Sequence, residues 1–139
     1  MTIDKEIVQK RTQEILSFVR ELETLSTISK QDFLTNTERQ YAVMHVLQLT
    51  IEACLSLANH IVARESLGIP NNYQESFALL GKARILPDAF TEEMKKIARF
   101  RNKLVHIYWE IDLDMIYDII TTKKDDFKQF VQYISERFL

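Results

Sequence analysis

Two glycines and two prolines in 139 residues leave few places for tight turns, because the hairpins that join short strands draw on those two residue types. The shortage points to helices. A single cysteine, Cys54, excludes an intramolecular disulfide and, set in an apolar run, reads as a buried thiol. There is no Gly-rich phosphate loop, no Gly-x-Ser-x-Gly turn, no Cys/His cluster at metal spacing and no His-x-x-x-His pair. No metal site, phosphate-loop enzyme or coenzyme-binding fold is therefore expected, and no cofactor. No uninterrupted apolar stretch reads as long enough to cross a bilayer, and Met1-Thr2-Ile3-Asp4-Lys5-Glu6 does not read as a signal peptide. The expectation is a cytoplasmic protein with no membrane contact. A formal charge of −2 excludes a polycation that coats nucleic acid, so any such contact needs a local patch.

What is present is helical periodicity over one domain, residues 1–139. Ile7, Ile15, Phe18, Val19, Leu22 and Leu25 predict an amphipathic helix from about residue 3 to 25. Ser29 is placed to cap a short turn over Lys30–Leu34, and Thr35 with Glu38 reads as a capping box for the next helix. That helix, from about Asn36 to Ser66, is apolar on almost all sides between Ala42 and Ala63. A helix of this kind must be covered all round, which suggests that part of it is buried in a homodimer. Its polar residues His45, Gln48, Glu52 and Asn59 lie within roughly 60° of one another and would form a seam, or else the solvent face.

Gly68 reads as the cap that ends this helix, before Pro70-Asn71-Asn72. A short helix from Tyr73 to Arg84 is weakened by Gly81, and Pro87 opens another that runs to about Ile107. Asp112 is a cap candidate for a last helix built on Leu113, Ile116, Ile120, Phe127, Phe130 and Ile134. The fold class is all-α: an antiparallel bundle of four long helices plus a short one.

One stretch breaks its own pattern. Within Ala98-Arg99-Phe100-Arg101-Asn102-Lys103-Leu104-Val105-His106-Ile107-Tyr108-Trp109, Arg101 falls where apolar residues belong. Met94, Ile97, Ala98, Leu104, Val105 and Tyr108 lie within roughly 60° of it. A guanidinium there is costly unless it is paired or faces a polar cleft. Lys95 to Lys103 holds five cations and no anion, a patch suited to a polyanion or simply a solvated face. Arginine matches a phosphate and histidine exchanges protons near neutrality, so Arg101 and His106 suffice for metal-free RNA cleavage. The two are about 140° apart on an ideal helix, while Asn102 with His106 and Arg101 with Tyr108 share faces. Their convergence needs a groove reached from both sides or a second subunit. The residues alone support a polar, phosphate-binding groove at a dimer interface.

Arg101-Asn102-Lys103-Leu104-Val105-His106-Ile107-Tyr108 also resembles the Arg-x4-His-x-Tyr pattern of HEPN domains, specifically the HepT-like toxins of bacteria and archaea. The likeness extends to Ala53, Asn59 and His60, to Gly68-Ile69-Pro70, and to Tyr108-Trp109-Glu110-Ile111-Asp112. It implies a homodimeric, metal-independent endoribonuclease toxin with its paired motifs in an interface cleft. It further implies an MntA-like nucleotidyltransferase antitoxin that transfers AMP onto the motif tyrosine, as in a type VII-like toxin–antitoxin pair. On that resemblance Arg101 and His106 are catalytic, Asn102 orients the phosphate and Tyr108 is modified, while the basic patch offers Arg99 and Lys103 to RNA phosphates and the polar seam offers Glu52 and Asn59 as support. Two other readings are a non-catalytic HEPN module that binds nucleotide or the nucleotidyltransferase, and a structural role in which Arg101 pairs with Glu52.

Overall fold

The computed structural model describes residues 2–105 and 111–139. Every element among the described residues is helical: α1 (Lys5–Leu25), α2 (Lys30–Thr35), α3 (Thr37–Arg64), α4 (Tyr73–Lys82), α5 (Asp88–Val105), α6 (Leu113–Asp118), a π segment (Ile119–Lys123) and α7 (Lys124–Phe138). The all-α bundle is as the sequence predicts. Two short helices, α2 and α4, accompany the long ones, where the sequence suggested one helix and a turn.

The helix starts follow from side-chain oxygens that meet otherwise unpaired backbone N–H groups. Asp4 accepts from the amides of Glu6 and Ile7, Ser29 from Asp32, and Asp112 from Met115. The Thr35–Glu38 capping box does not form. Asn36 instead sits in an extended conformation and accepts from the amide of Arg39 at 2.9 Å. Thr35 completes the last turn of α2 and so cannot also open α3.

Gly68 does not cap α3. The left-handed residue is Ser66, with φ 55°, and the amides of Ser66 and Leu67 return to the carbonyls of Ala63 and Val62. This is a Schellman closure. It recurs at the end of α4, where Arg84 has φ 62° and Arg84 and Ile85 bond back to Gly81 and Leu80.

The core helix is α3, packed against α1, α4, α5 and α7. Val43, Leu47, Ile51, Leu57, Ala58 and Ile61 are fully enclosed, with Val8, Ile15, Val19 and Leu22 of α1 on one side. Each large side chain so enclosed contributes about 1.5–3 kcal/mol. Phe77 of α4 meets Phe130 of α7 edge to face at 5.6 Å, a favoured aromatic geometry. Met44, Val46, Ala53 and Leu55, on the remaining sides of α3, are also buried by this one chain. The chain thus covers most of α3 by itself, with Ala42 and Leu49 half-buried and Ala63 exposed. By length and composition α3 is also long and apolar enough to cross a membrane, contrary to the reading of the sequence, yet most of its apolar window is buried inside the protein. Cys54 is enclosed there as expected, and burial pushes its thiol pKa well up.

The last helix does not run evenly. Between α6 and α7 the hydrogen bonds shift to a π pattern over Ile119–Lys123. The wider turn carries Lys123 to Glu93 of α5, at 3.1 Å. Lys123 and Lys96 together hold the Glu93 carboxyl below its usual range.

Gly81 has a packing role in place of the weakness read from the sequence. A Cβ there would lie 2.5 Å from Oγ1 and 2.7 Å from Cγ2 of Thr91 on α5. Thr91 is itself anchored, donating to the Pro87 carbonyl at 2.8 Å. Gly81→Ala should therefore lower stability by about 1–3 kcal/mol in urea unfolding, although alanine favours an isolated helix by about 1 kcal/mol. Thr91→Ala in the same background should recover part of that loss. A gain in stability from Gly81→Ala alone would contradict the close approach of α4 and α5.

Candidate active site

The α5 helix presents two faces. Arg101 leans toward α3 and α4, where its Nη2 donates to Oε1 of Glu52 at 3.1 Å. Its guanidinium carbon lies 4.6 Å from the ring centroid of Tyr73, the first residue of α4. Gln48 donates to the same Glu52 oxygen at 3.2 Å. The arginine that interrupts an apolar stripe is thus tolerated through a carboxylate one helix away and an aromatic face on another. Both side chains of the pair remain partly open, at 21% and 38% exposure. Such a pair is screened and contributes less than about 1 kcal/mol. The stack on Tyr73 adds about 0.5–2 kcal/mol.

The Arg101 Nε is buried and has no hydrogen-bond partner among the described residues.

Of the polar seam expected on α3, Glu52 reaches Arg101, Gln48 reaches only Glu52, and the other two meet neither. His45 is exposed. Asn59 turns to α4 and accepts from the hydroxyl of Ser76 at 2.6 Å. Asn59 nevertheless borders a cavity of 430 Å³ together with Pro70, Asn71, Asn72, Tyr73, Ser76 and Asn102. Asn102, next to Arg101 on α5, is exposed. Tyr73 and Ser76 escaped the sequence reading, since a tyrosine and a serine opening a short helix look like surface. The only signal was the run of amides in Pro70-Asn71-Asn72 directly before them.

Arg99 and Lys103 are not with Arg101. Residues two apart on a helix diverge by about 200°. They line a groove of 260 Å³ on the opposite face of α5, with Lys96 and Lys123 at its rim and Ile97 and Phe100 within it. The single basic patch expected from Lys95 to Lys103 is thus divided between two faces. His106 and Tyr108, and the end of the helix predicted to reach Ile107, lie outside the described residues. Among the described residues no group of three or more His, Cys, Asp or Glu side chains gathers where it could hold a metal ion.

Comparison with known proteins gives this arrangement a family. A model of ribonuclease HepT-like proteins matches residues 3–134. The chain belongs to the HepT-like ribonuclease family. Among its HepT-like relatives is a Shewanella oneidensis protein described as an mRNA nuclease HepT, 36% identical over 105 residues and 76% of each chain. Another is a tRNA nuclease HepT of Aphanizomenon flos-aquae, 27% identical over 96% of this chain and 90% of that one. Among solved structures, the tri-AMPylated HEPN toxin of Shewanella oneidensis in complex with its MNT antitoxin superposes with a TM-score of 0.86. It is 28% identical, covering 94% of this chain and 97% of the other.

The exposure of the Arg101–Glu52 pair sets its structural worth. Glu52→Gln should cost less than about 1 kcal/mol in chemical unfolding. A loss of several kcal/mol, as when one partner of a buried pair is removed, would mark the pair as a structural element rather than part of an open site.

Proposed function

We propose that this chain, acting as a single HEPN domain over residues 1–139, is the ribonuclease toxin of a toxin–antitoxin pair. It cleaves RNA in the cytoplasm without a metal ion and works as a homodimer. The observation that carries the reading is the partly open Arg101, held by Glu52 and Tyr73, with Tyr73 and the adjacent Asn102 lining a cavity. Arg101 stabilises the charge that grows on the scissile phosphate, because its planar fork matches the phosphate oxygens. His106 transfers the proton at the 2′-hydroxyl or at the leaving oxygen, because histidine is the side chain whose ordinary pKa suits proton exchange at physiological pH. Asn102, adjoining Arg101, orients the phosphate. A two-fold axis near the motif helices brings two such sets together and resolves the angle of about 140° between Arg101 and His106. Lys103 and Arg99, on the far face of α5, hold more distant phosphates of the same strand.

The partner is an MntA-like nucleotidyltransferase, which transfers AMP onto Tyr108. The AMPylated state of the similar Shewanella oneidensis toxin supports this assignment. AMP on Tyr108 adds bulk and negative charge to the Arg-x4-His-x-Tyr motif and repels RNA by like charge.

Purified protein should cleave RNA in the presence of EDTA. Arg101→Ala and His106→Ala should each lower the rate by about 10²-fold or more with the fold retained. Co-expression with the nucleotidyltransferase should raise the intact mass by one or more AMP groups, and Tyr108→Phe should abolish the increment. Cleavage that depends on a divalent ion would overturn the metal-free mechanism. Intact RNA together with tight binding of the transferase would favour a non-catalytic binding module instead.

A further inference from the structure

We propose that Tyr73 is a positioning residue for RNA cleavage, its ring fixing the orientation in which Arg101 presents its guanidinium to the phosphate. The proposal rests on the ribonuclease reading and adds to it a residue that acts through the arginine. Nη2 of Arg101 donates to one oxygen of Glu52 at 3.1 Å. A hydrogen bond through one nitrogen sets where that nitrogen lies and leaves the planar group able to turn about it. A reacting group needs its angle held to about 10–20° as well as its place. The second constraint is the Tyr73 ring, whose centroid lies 4.6 Å from the guanidinium carbon. A cation is drawn to the face of an aromatic ring, and the contact limits the turn.

Tyr73 is in turn anchored to the helix that carries Glu52. It opens α4 directly after Asn72, whose Oδ1 accepts the Glu75 amide at 3.0 Å and fixes the first turn. In that turn Ser76, 1% exposed, donates its hydroxyl proton to Oδ1 of Asn59 on α3 at 2.6 Å. Asn59 lies about two turns beyond Glu52 on the same helix. One helix thus places the carboxylate directly and the ring through Ser76. Gln48, also on α3, steadies the carboxylate by donating to the same oxygen at 3.2 Å. The support expected of Asn59 therefore reaches Arg101 through Ser76 and Tyr73. Tyr73 itself is 39% exposed and stands outside the hydrophobic core, so its removal disturbs the arginine more than the fold.

The test follows cleavage of a fluorogenic RNA oligonucleotide by the full chain. Tyr73→Leu, which removes the ring, should lower kcat about tenfold and leave KM within about twofold. Tyr73→Phe, which keeps the ring face, should retain at least about half of the rate. In the Arg101→Ala background Tyr73→Leu should change the residual rate by less than about twofold, because its effect passes through the arginine. Tyr73→Met is the second ring-free variant should circular dichroism show that Tyr73→Leu fails to fold. A readout independent of cleavage is the Arg101 Nε–H resonance, which should shift on loss of the ring current in Tyr73→Leu and by less in Tyr73→Phe. Full activity without the ring, a loss confined to KM, an equal loss in Tyr73→Phe, or an undiminished effect in the Arg101→Ala background overturns the assignment. If the wild type cleaves no RNA the ribonuclease reading falls, and the Nε–H shift alone then decides whether the ring holds the arginine.

Discussion

A charged group in an apolar helix face has to be compensated, and in this protein the compensation shapes the site. Arg101 lies on the side of α5 that otherwise packs into the bundle, and it is held by Glu52 of α3 and the ring of Tyr73 of α4. Three consecutive helices are therefore registered around one guanidinium. Neither contact is strong, because both side chains reach solvent and a screened pair contributes little. The stability comes from elsewhere, from α3 enclosed by α1, α4, α5 and α7. The pair orients the arginine on a scaffold that does not need it for folding, the arrangement that a functional group requires.

The division of the basic stretch follows from the same helix geometry. Five cations between Lys95 and Lys103 look continuous in sequence, yet Arg101 turns to Glu52 and Tyr73 while Lys96, Arg99 and Lys103 border a groove on the other side. The π segment adds Lys123 to that groove and ties it to Glu93. π turns tend to occur at functional sites. Under the proposed function, one face of α5 serves the reacting nucleotide and the other the rest of the strand.

Much of the fold was legible because helical periodicity and caps are local signals. Ser29 and Asp112 act as their chemistry suggests, and the misplaced Arg101 pointed to a partner that proved to be Glu52. What was not legible depended on competition between neighbours or on tertiary packing. Thr35 and Asn36 are both good caps, and the choice between them rests on where α2 ends. Ser66 rather than Gly68 takes the left-handed turn, because the last carbonyls of α3 are met two residues earlier than glycine preference suggests. The self-coverage of α3 depends on how four other helices enclose it, and the π turn depends on a pairing across the bundle. Apart from the amides that precede it, Tyr73 gave no local sign of its role, which exists only because α4 crosses near Arg101.

The central claim is that the guanidinium of Arg101, held by Glu52 and Tyr73, is open to an RNA phosphate. The most direct measurement follows its side-chain Nε–H resonance by nitrogen-15 NMR, assigned through its loss in Arg101→Lys, during titration with an RNA protected from cleavage by 2′-O-methyl groups. The account predicts that this resonance shifts as RNA binds, because the Nε–H, which has no hydrogen-bond partner among the described residues, gains an acceptor or a nearby charge. A resonance that stays in place while backbone signals elsewhere report bound RNA would contradict it.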